Sequence, residues 1–160
     1  MAQTSPRWSA MVIGDSVKDL SPKWPHPHVF YSNLVDKLGH SNCGGMVRNY
    51  GLSCAGGKWL AFVDDDDVVD NHYVEWLVEE CNDMDVVVFR MKMGDSIIPS
   101  GGSIGPGDVG ISFAVRSEFQ YNQGVWFVND PMEDWIFISN CQAKGARIKI
   151  SDRIAYYVRP

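Results

Sequence analysis

The sequence predicts an α/β fold, and three observations carry that reading. Short apolar runs of strand character alternate with stretches whose apolar residues recur at helical spacing. One such run, Trp59-Leu-Ala-Phe-Val63, leads straight into the carboxylates Asp64, Asp65, Asp66 and Asp67. That is the layout of a strand buried on both faces whose carboxyl end meets a ligand. The chain has 160 residues, 12% of them aromatic, enough for one domain with a substantial core.

Taken in order, Trp8 to Ile13 reads as a strand ending in the turn Gly14-Asp15-Ser16. Ser21 to His28 is proline-rich and reads as loop; its His26 and His28, without acidic neighbours, read as loop histidines and not as a metal pair. Val29 to Tyr31 is a short strand. Asn42 reads as the N-cap of a helix whose Met46, Tyr50 and Cys54 share one face beside Val47, with Gly56-Gly57 as its stop. The central strand and its aspartates follow. Asp70 caps a helix to about Cys81, with Tyr73, Trp76, Leu77 and Cys81 as its apolar stripe. Asp85 to Arg90 reads as a buried strand. Pro99 to Gly110 is glycine-rich but too irregular for a dinucleotide or phosphate-loop fingerprint, and reads as a mobile loop beside the site. Ile111 to Arg116 is a strand. Asp130-Pro-Met-Glu133 opens a helix with a cap, an N-terminal proline and a capping-box glutamate, and Gly145 ends it. Arg147 to Ile150 and Ile154 to Val158 are the closing strands, in a largely parallel or mixed sheet.

The formal net charge of −6 argues against non-specific binding to nucleic acid or anionic membranes. No apolar run approaches the roughly 20 residues that span a bilayer, and the N-terminus has no apolar signal core. Cys43, Cys54, Cys81 and Cys141 form no Cys-x-x-Cys pair. They read as reduced thiols, buried in helices for the last three, in a soluble, most simply cytoplasmic protein.

Four adjacent carboxylates repel one another, and burying them unpaired costs several kcal/mol or forces protonation. No basic residue follows them closely in sequence. A hard divalent cation, Mg²⁺ or Mn²⁺, would offset that cost, since it prefers carboxylate oxygens; a solvated acidic loop is the simpler alternative.

Three separated motifs share one register. Val47-Arg-Asn-Tyr-Gly51 with Gly57-Lys-Trp-Leu-Ala-Phe-Val-Asp-Asp-Asp-Asp67, the upstream stretch from Trp8 to Asp19, and Glu133-Asp134-Trp135 together resemble the inverting, nucleotide-sugar-dependent glycosyltransferases of family two, with the GT-A fold. Ile154-Ala-Tyr-Tyr-Val-Arg159 is similar to the aromatic strand that often follows. The resemblance implies a single GT-A domain over residues 1–160, with a mixed, mostly parallel sheet flanked by helices. It also implies that the family's usual first strand and helix are lacking, Ala2-Gln3-Thr4 resembling that helix's tail. An uncovered sheet edge would then invite pairing between copies of the chain.

By the same resemblance, Asp64 and Asp66 match the family's Asp-x-Asp, Asp66 as the direct metal ligand and Asp64 nearer the ribose or a metal-bound water. Asp65 and Asp67 remain fallback ligands, because a run of four leaves the register open. Asp15, the one acid retained of the family's pair, and Arg48, with Asp64 and Asp65, are implied to bind the nucleotide sugar; an Asx-type turn for Asp15 and a surface ion pair for Arg48 are the plainer readings. Asp134 is implied to be the general base, although a helix dipole there lowers its proton affinity unless burial raises it. Glu133 reads as structural. Trp126 and Trp135 read as core, with sugar stacking as the alternative. The implied activity moves a sugar, UDP-linked by default, to a hydroxyl or glycan acceptor with Mn²⁺ or Mg²⁺. The alternatives are a shortened, impaired domain that binds nucleotide or glycan or assembles with a partner, and a nucleotidyltransferase.

Overall fold

The computed structural model describes residues 3–20, 26–39 and 43–159. Its elements in chain order are β1 (Ala10–Gly14), β2 (Val29–Asn33), α1 (Gly45–Cys54), β3 (Trp59–Ala61), β4 (Val68–Val69), α2 (Tyr73–Glu80), β5 (Val86–Met93), β6 (Ser96–Ile98), β7 (Phe113–Arg116), α3 (Ser117–Gln123), α4 (Glu133–Ala143) and β8 (Ile148–Val158). A six-stranded sheet runs β3-β7-β5-β8-β4, with β6 added to β5, and β1 pairs with β2 in a separate two-stranded sheet.

The α/β class and the mixed sheet are as expected, but the sheet is not mostly parallel. Only β1–β2 and β5–β8 pair in parallel; β3–β7, β5–β7, β5–β6 and β4–β8 are antiparallel. The reason is connection length. Parallel neighbours need a crossover, usually helical. Here β5 turns directly into β6 through Gly94, whose φ of +55 suits glycine, and β6 returns to β7 without a helix.

Strand β5 is the centre. Val86, Val87, Val88 and Phe89 are wholly buried, and they alternate between the two faces. Val86 and Val88 join a core with Leu52 of α1, Phe137, Ile138 and Cys141 of α4, and Phe113 and Phe127. Val87 and Phe89 join a smaller core with Tyr73 and Leu77 of α2. The helices α1 and α4 therefore share one face of the sheet, and α2 takes the other. Helix α1 also reaches β1 and β2: the Tyr50 and Ser32 hydroxyls lie 3.0 Å apart, and a Cβ on Gly51 would stand 3.0 Å from Ile13 Cδ1.

Several local expectations are corrected. Strand β3 lies at the sheet edge, so Leu60 is buried but Ala61 and Val63 are exposed. Gly45, Arg48, Asn49 and Leu52 form the inward face of α1, while Met46 and Cys54 are exposed; Cys54 is thus not a buried thiol. Polar Arg48 and Asn49 disguised that face, because both work inward. The two closing strands are one, β8, in which Ser151-Asp152-Arg153 forms a bulge opposite β5. Helix α3, β4 and β6 have no counterpart in the sequence reading; α3 buries only Gln120 and so carries no apolar stripe. The Gly-rich loop is anchored by buried Val109 and Ile111 and by Ile104 packed on the core. Asn42 and Ala2 lie outside the described residues; Gln3 and Thr4 are not helical, and dock on the start of α2 through bonds to Asp70, Asn71 and Val74. Among the described residues no helix is long and apolar enough to cross a membrane.

Candidate active site

The carboxyl ends of β1 and β3 lead into Asp15 and Asp64, and α1 begins beside both. This helix lacks a side-chain cap of its own; its N-cap is Gly44. Four amides at such an end need partners. Glu133, at the start of α4, supplies two: its Oε1 accepts from Gly44 N at 3.0 Å and its Oε2 from Gly45 N at 2.6 Å. The approach is close enough that a Cβ on Gly45 would meet Glu133 Oε2 at 2.4 Å. Glu133 is therefore structural, as expected, but it caps another helix. Helix α4 is entered instead through Asp130, whose Oδ1 accepts from Met132 N.

Arg48, one turn into α1, joins the acids. Its Nη1 donates to Glu133 Oε1, its Nη2 donates to Asp64 Oδ1 at 2.5 Å, and its Nη1 lies 3.9 Å from Asp134 Oδ1. Burial alone would lower the proton affinity of the guanidinium, but Asp64, Asp134 and Glu133 together outweigh it. Arg48 also sits over the Phe127 ring at 5.6 Å. The Phe127 segment is held to α1 by Asn49, whose side-chain amide accepts from Phe127 N and donates to Phe127 O, both at 2.9 Å. The guanidinium is thus fixed from several sides. Its pairing is inward, so the reading of Arg48 as a surface ion pair is corrected.

Asp134 Oδ1 is buried and accepts no hydrogen bond. Burial pushes its pKa up to about 6; Arg48 opposes the rise, and Glu133 and Asp64 add to it. Desolvation is the largest cause, and it leaves a carboxylate able to take a proton near neutral pH.

The acidic run is less buried than its sequence suggests. Asp65 and Asp66 are exposed, and Asp64 is half-exposed. Its charge is partly met inside the chain. Asp64 pairs with Arg48, and Asp67 Oδ1 accepts from Arg159 N at 3.2 Å. The fully buried Tyr156, which sequence reasoning missed, accepts the Asp64 amide on its hydroxyl at 3.1 Å. The signal was available as a polar-tipped aromatic in an apolar strand, since a buried tyrosine hydroxyl usually has a partner. Tyr156→Phe is expected to cost about 1–3 kcal/mol by leaving the Asp64 amide unpaired. Urea unfolding measures it, and a loss below about 0.5 kcal/mol would show that the hydroxyl holds nothing in place.

The structure therefore brings together Arg48, Asp64 and Asp134 with Glu133. Asp15 stands apart from them in its contacts: its two oxygens accept the amides of Leu38 at 2.7 Å and Gly39 at 2.9 Å, anchoring the loop before α1. Trp135 packs on the core, whereas Trp126 is 39% exposed. His26 stacks on Trp8 with ring centroids 5.1 Å apart, and His28 lies tilted against it at 5.6 Å. Among the described residues no three His, Cys, Asp or Glu side chains converge as a ready metal site.

The sequence model of glycosyl transferase family 2 matches residues 13–130, more than half of the chain. The chain belongs to glycosyl transferase family 2. The match takes in Asp15, Arg48 and Asp64 to Asp67 and stops before Glu133 and Asp134. EpsH of Bacillus subtilis (strain 168), a protein named as a putative glycosyltransferase, is 30% identical over 82 residues, which is 51% of this chain and 24% of EpsH. Among solved structures, residues 1–349 of Staphylococcus aureus TarS superpose with a TM-score of 0.75 at 17% identity, over 98% of this chain and 53% of that one. The same TarS fragment with UDP-GlcNAc gives a TM-score of 0.77 at 19% identity, over 98% and 51%. The chain thus has the GT-A fold, and it spans about a quarter of EpsH and half of the TarS fragment.

Proposed function

We propose that this family 2 chain transfers a sugar from a nucleoside diphosphate sugar to a hydroxyl acceptor, with inversion at the anomeric carbon. The observation that carries the proposal is the convergence of Arg48, Asp64 and Asp134 from three separate stretches of sequence. UDP is the default nucleotide; TarS is solved with UDP and with UDP-GlcNAc, which supports that choice. In this reading Asp134 takes the proton of the acceptor hydroxyl as that oxygen attacks the anomeric carbon. The bond from that carbon to the diphosphate breaks, and the nucleoside diphosphate leaves with the electron pair. Arg48 and Asp64 orient the donor. Asp15 acts by holding the 38–39 loop at the nucleotide end, with lone pairs left on its oxygens for the base. Asp65 serves the donor from the exposed rim.

The donor chemistry suits a hard divalent cation. Asp66 is open to solvent and Asp64 has an oxygen that Arg48 does not engage, so Mn²⁺ or Mg²⁺ would draw its other ligands from phosphate and water. Bound there, the cation would supply Lewis-acid stabilisation of the leaving diphosphate. The fallback for Asp67 is weaker than for Asp65, because Asp67 Oδ1 already accepts from Arg159 N.

UDP release from a panel of UDP-sugars with Mn²⁺ tests transfer, and pyrophosphate release would instead indicate nucleotidyl transfer. Ligand binding to the folded state raises the melting temperature. Asp66→Ala is expected to abolish the Mn²⁺-dependent part of the shift produced by UDP; a shift kept in full would remove Asp66 from metal binding.

One observation favours a second reading, a nucleotide-binding or assembly module. Strands β1 and β3 each have a strand partner on one side only among the described residues. Pairing between copies through these edges would give a homo-oligomer. Measurable UDP binding without UDP release, in a species larger than one chain, would support it.

A further inference from the structure

Glu133 does more than cap α1. The residue is 6% exposed, and its carboxylate meets three donors, Gly44 N, Gly45 N and Arg48 Nη1. The two amides are backbone groups of a helix start, so they fix the carboxylate in place. The carboxylate in turn fixes Nη1 of Arg48, which is the nitrogen nearest Asp134, while Nη2 goes to Asp64. Glutamate reach is required, because Glu133 lies on α4 and spans to α1. Glycine is required opposite it, since a Cβ at Gly45 would collide with Oε2, and one at Gly44 would press on the Arg48 guanidinium at 3.0 Å.

We propose that Glu133 is a positioning residue, which holds Arg48 between Asp64 and Asp134 and so sets how the guanidinium is shared between the two carboxylates. With Glu133 in place, Nη1 is drawn away from Asp134, and the Asp134 Oδ1 contact stays long at 3.9 Å without a hydrogen bond. Without that pull Arg48 closes on Asp134, and a carboxylate paired tightly with a guanidinium is a poorer base. The charged groups acting on Asp134 are Arg48 of α1, Asp64 after β3 and its neighbour Glu133. The inference rests on Asp134 being the base of the proposed transfer.

The test compares Glu133→Gln and Glu133→Asp with the wild-type chain. Glutamine keeps the size but places an amide among donors; aspartate keeps the charge at shorter reach. The readouts are kcat and donor KM with a UDP-sugar, the pH profile of kcat, and the titration midpoint of the Asp134 carboxyl carbon by NMR. For Glu133→Gln we expect kcat to fall about tenfold or more with donor KM within about threefold. We also expect the acid limb of the profile and the Asp134 midpoint to move to lower pH, with partial recovery in Glu133→Asp. An Asp134 midpoint unmoved in both variants overturns the proposal, even where kcat falls, because a merely structural role would do that. If the wild-type chain releases no UDP, the transfer reading fails by itself, and the midpoint still decides the positioning role. Should Glu133→Gln not fold, the midpoint in Glu133→Asp decides between the same two outcomes.

Discussion

Replacing Arg48 with alanine is expected to cost about 3–5 kcal/mol of stability, since it breaks a buried ion network by removing the shared cation. Glu133 would be left buried with only backbone donors, and Asp134 and Asp64 would face it without a positive charge between them. The deficit should depend on pH. Without Arg48 to oppose the rise, the Asp134 carboxyl is raised further in the folded state, so the folded variant holds a proton that the unfolded chain has released. Stability then falls as pH rises through that window. Urea unfolding at pH 5 and pH 8 should show the larger deficit at pH 8. A pH-independent loss below about 1 kcal/mol would mean that the network is not what holds α1 to α4. Arg48→Lys should fall between the two, because an ammonium restores charge but cannot fork to Asp64 and Glu133 together.

Asp134→Asn is expected to lower transfer by about 10²- to 10⁴-fold, the usual worth of a positioned proton acceptor, with donor binding kept. It should also stabilise the chain. The Asp134 carboxyl rises from its ordinary 3.8 to about 6 in the fold, so the folded state binds a proton that the unfolded state has lost between those values. The Asp134 contribution to wild-type stability therefore falls as pH rises from about 4 to above 6, by on the order of 3 kcal/mol, and stays low beyond. Asparagine has no proton to lose, so the variant should be flatter with pH and more stable at pH 8. Melting curves from pH 4 to 8 check the stability half and UDP release checks the rate half. Retained turnover would remove Asp134 from the base role.

How much of this was legible in the sequence follows from which forces are local. The β5 strand could be read because an unbroken Val-Val-Val-Phe run has no other comfortable place than a sheet centre. The start of α4 could be read because Asp130 and Pro131 act within one turn. The face of α1 could not, since Arg48 and Asn49 point inward toward partners 85 and 78 residues away, Glu133 and Phe127. The acidic run looked insoluble without a metal because Arg48, which meets the Asp64 charge, comes from a different element, and Tyr156, which takes the Asp64 amide, lies 92 residues away. Glu133 looked like a cap and is one, but no spacing rule reveals which helix it caps. The sheet's antiparallel share was hidden because β6, three residues long, hairpins onto β5 and is too short to show a strand pattern of its own.

The claim on which everything else turns is that the nucleotide binds at the cluster of Arg48, Asp64 and Asp134. Amide chemical-shift mapping with UDP and Mg²⁺ tests it most directly. The expected result is a set of perturbed amides at the Asp15 turn, the 38–39 loop, the start of α1 and Asp64 to Asp67. Perturbations confined to the opposite end of the sheet, around Asp85, Arg116 and Arg147, or none at saturating UDP, would contradict it.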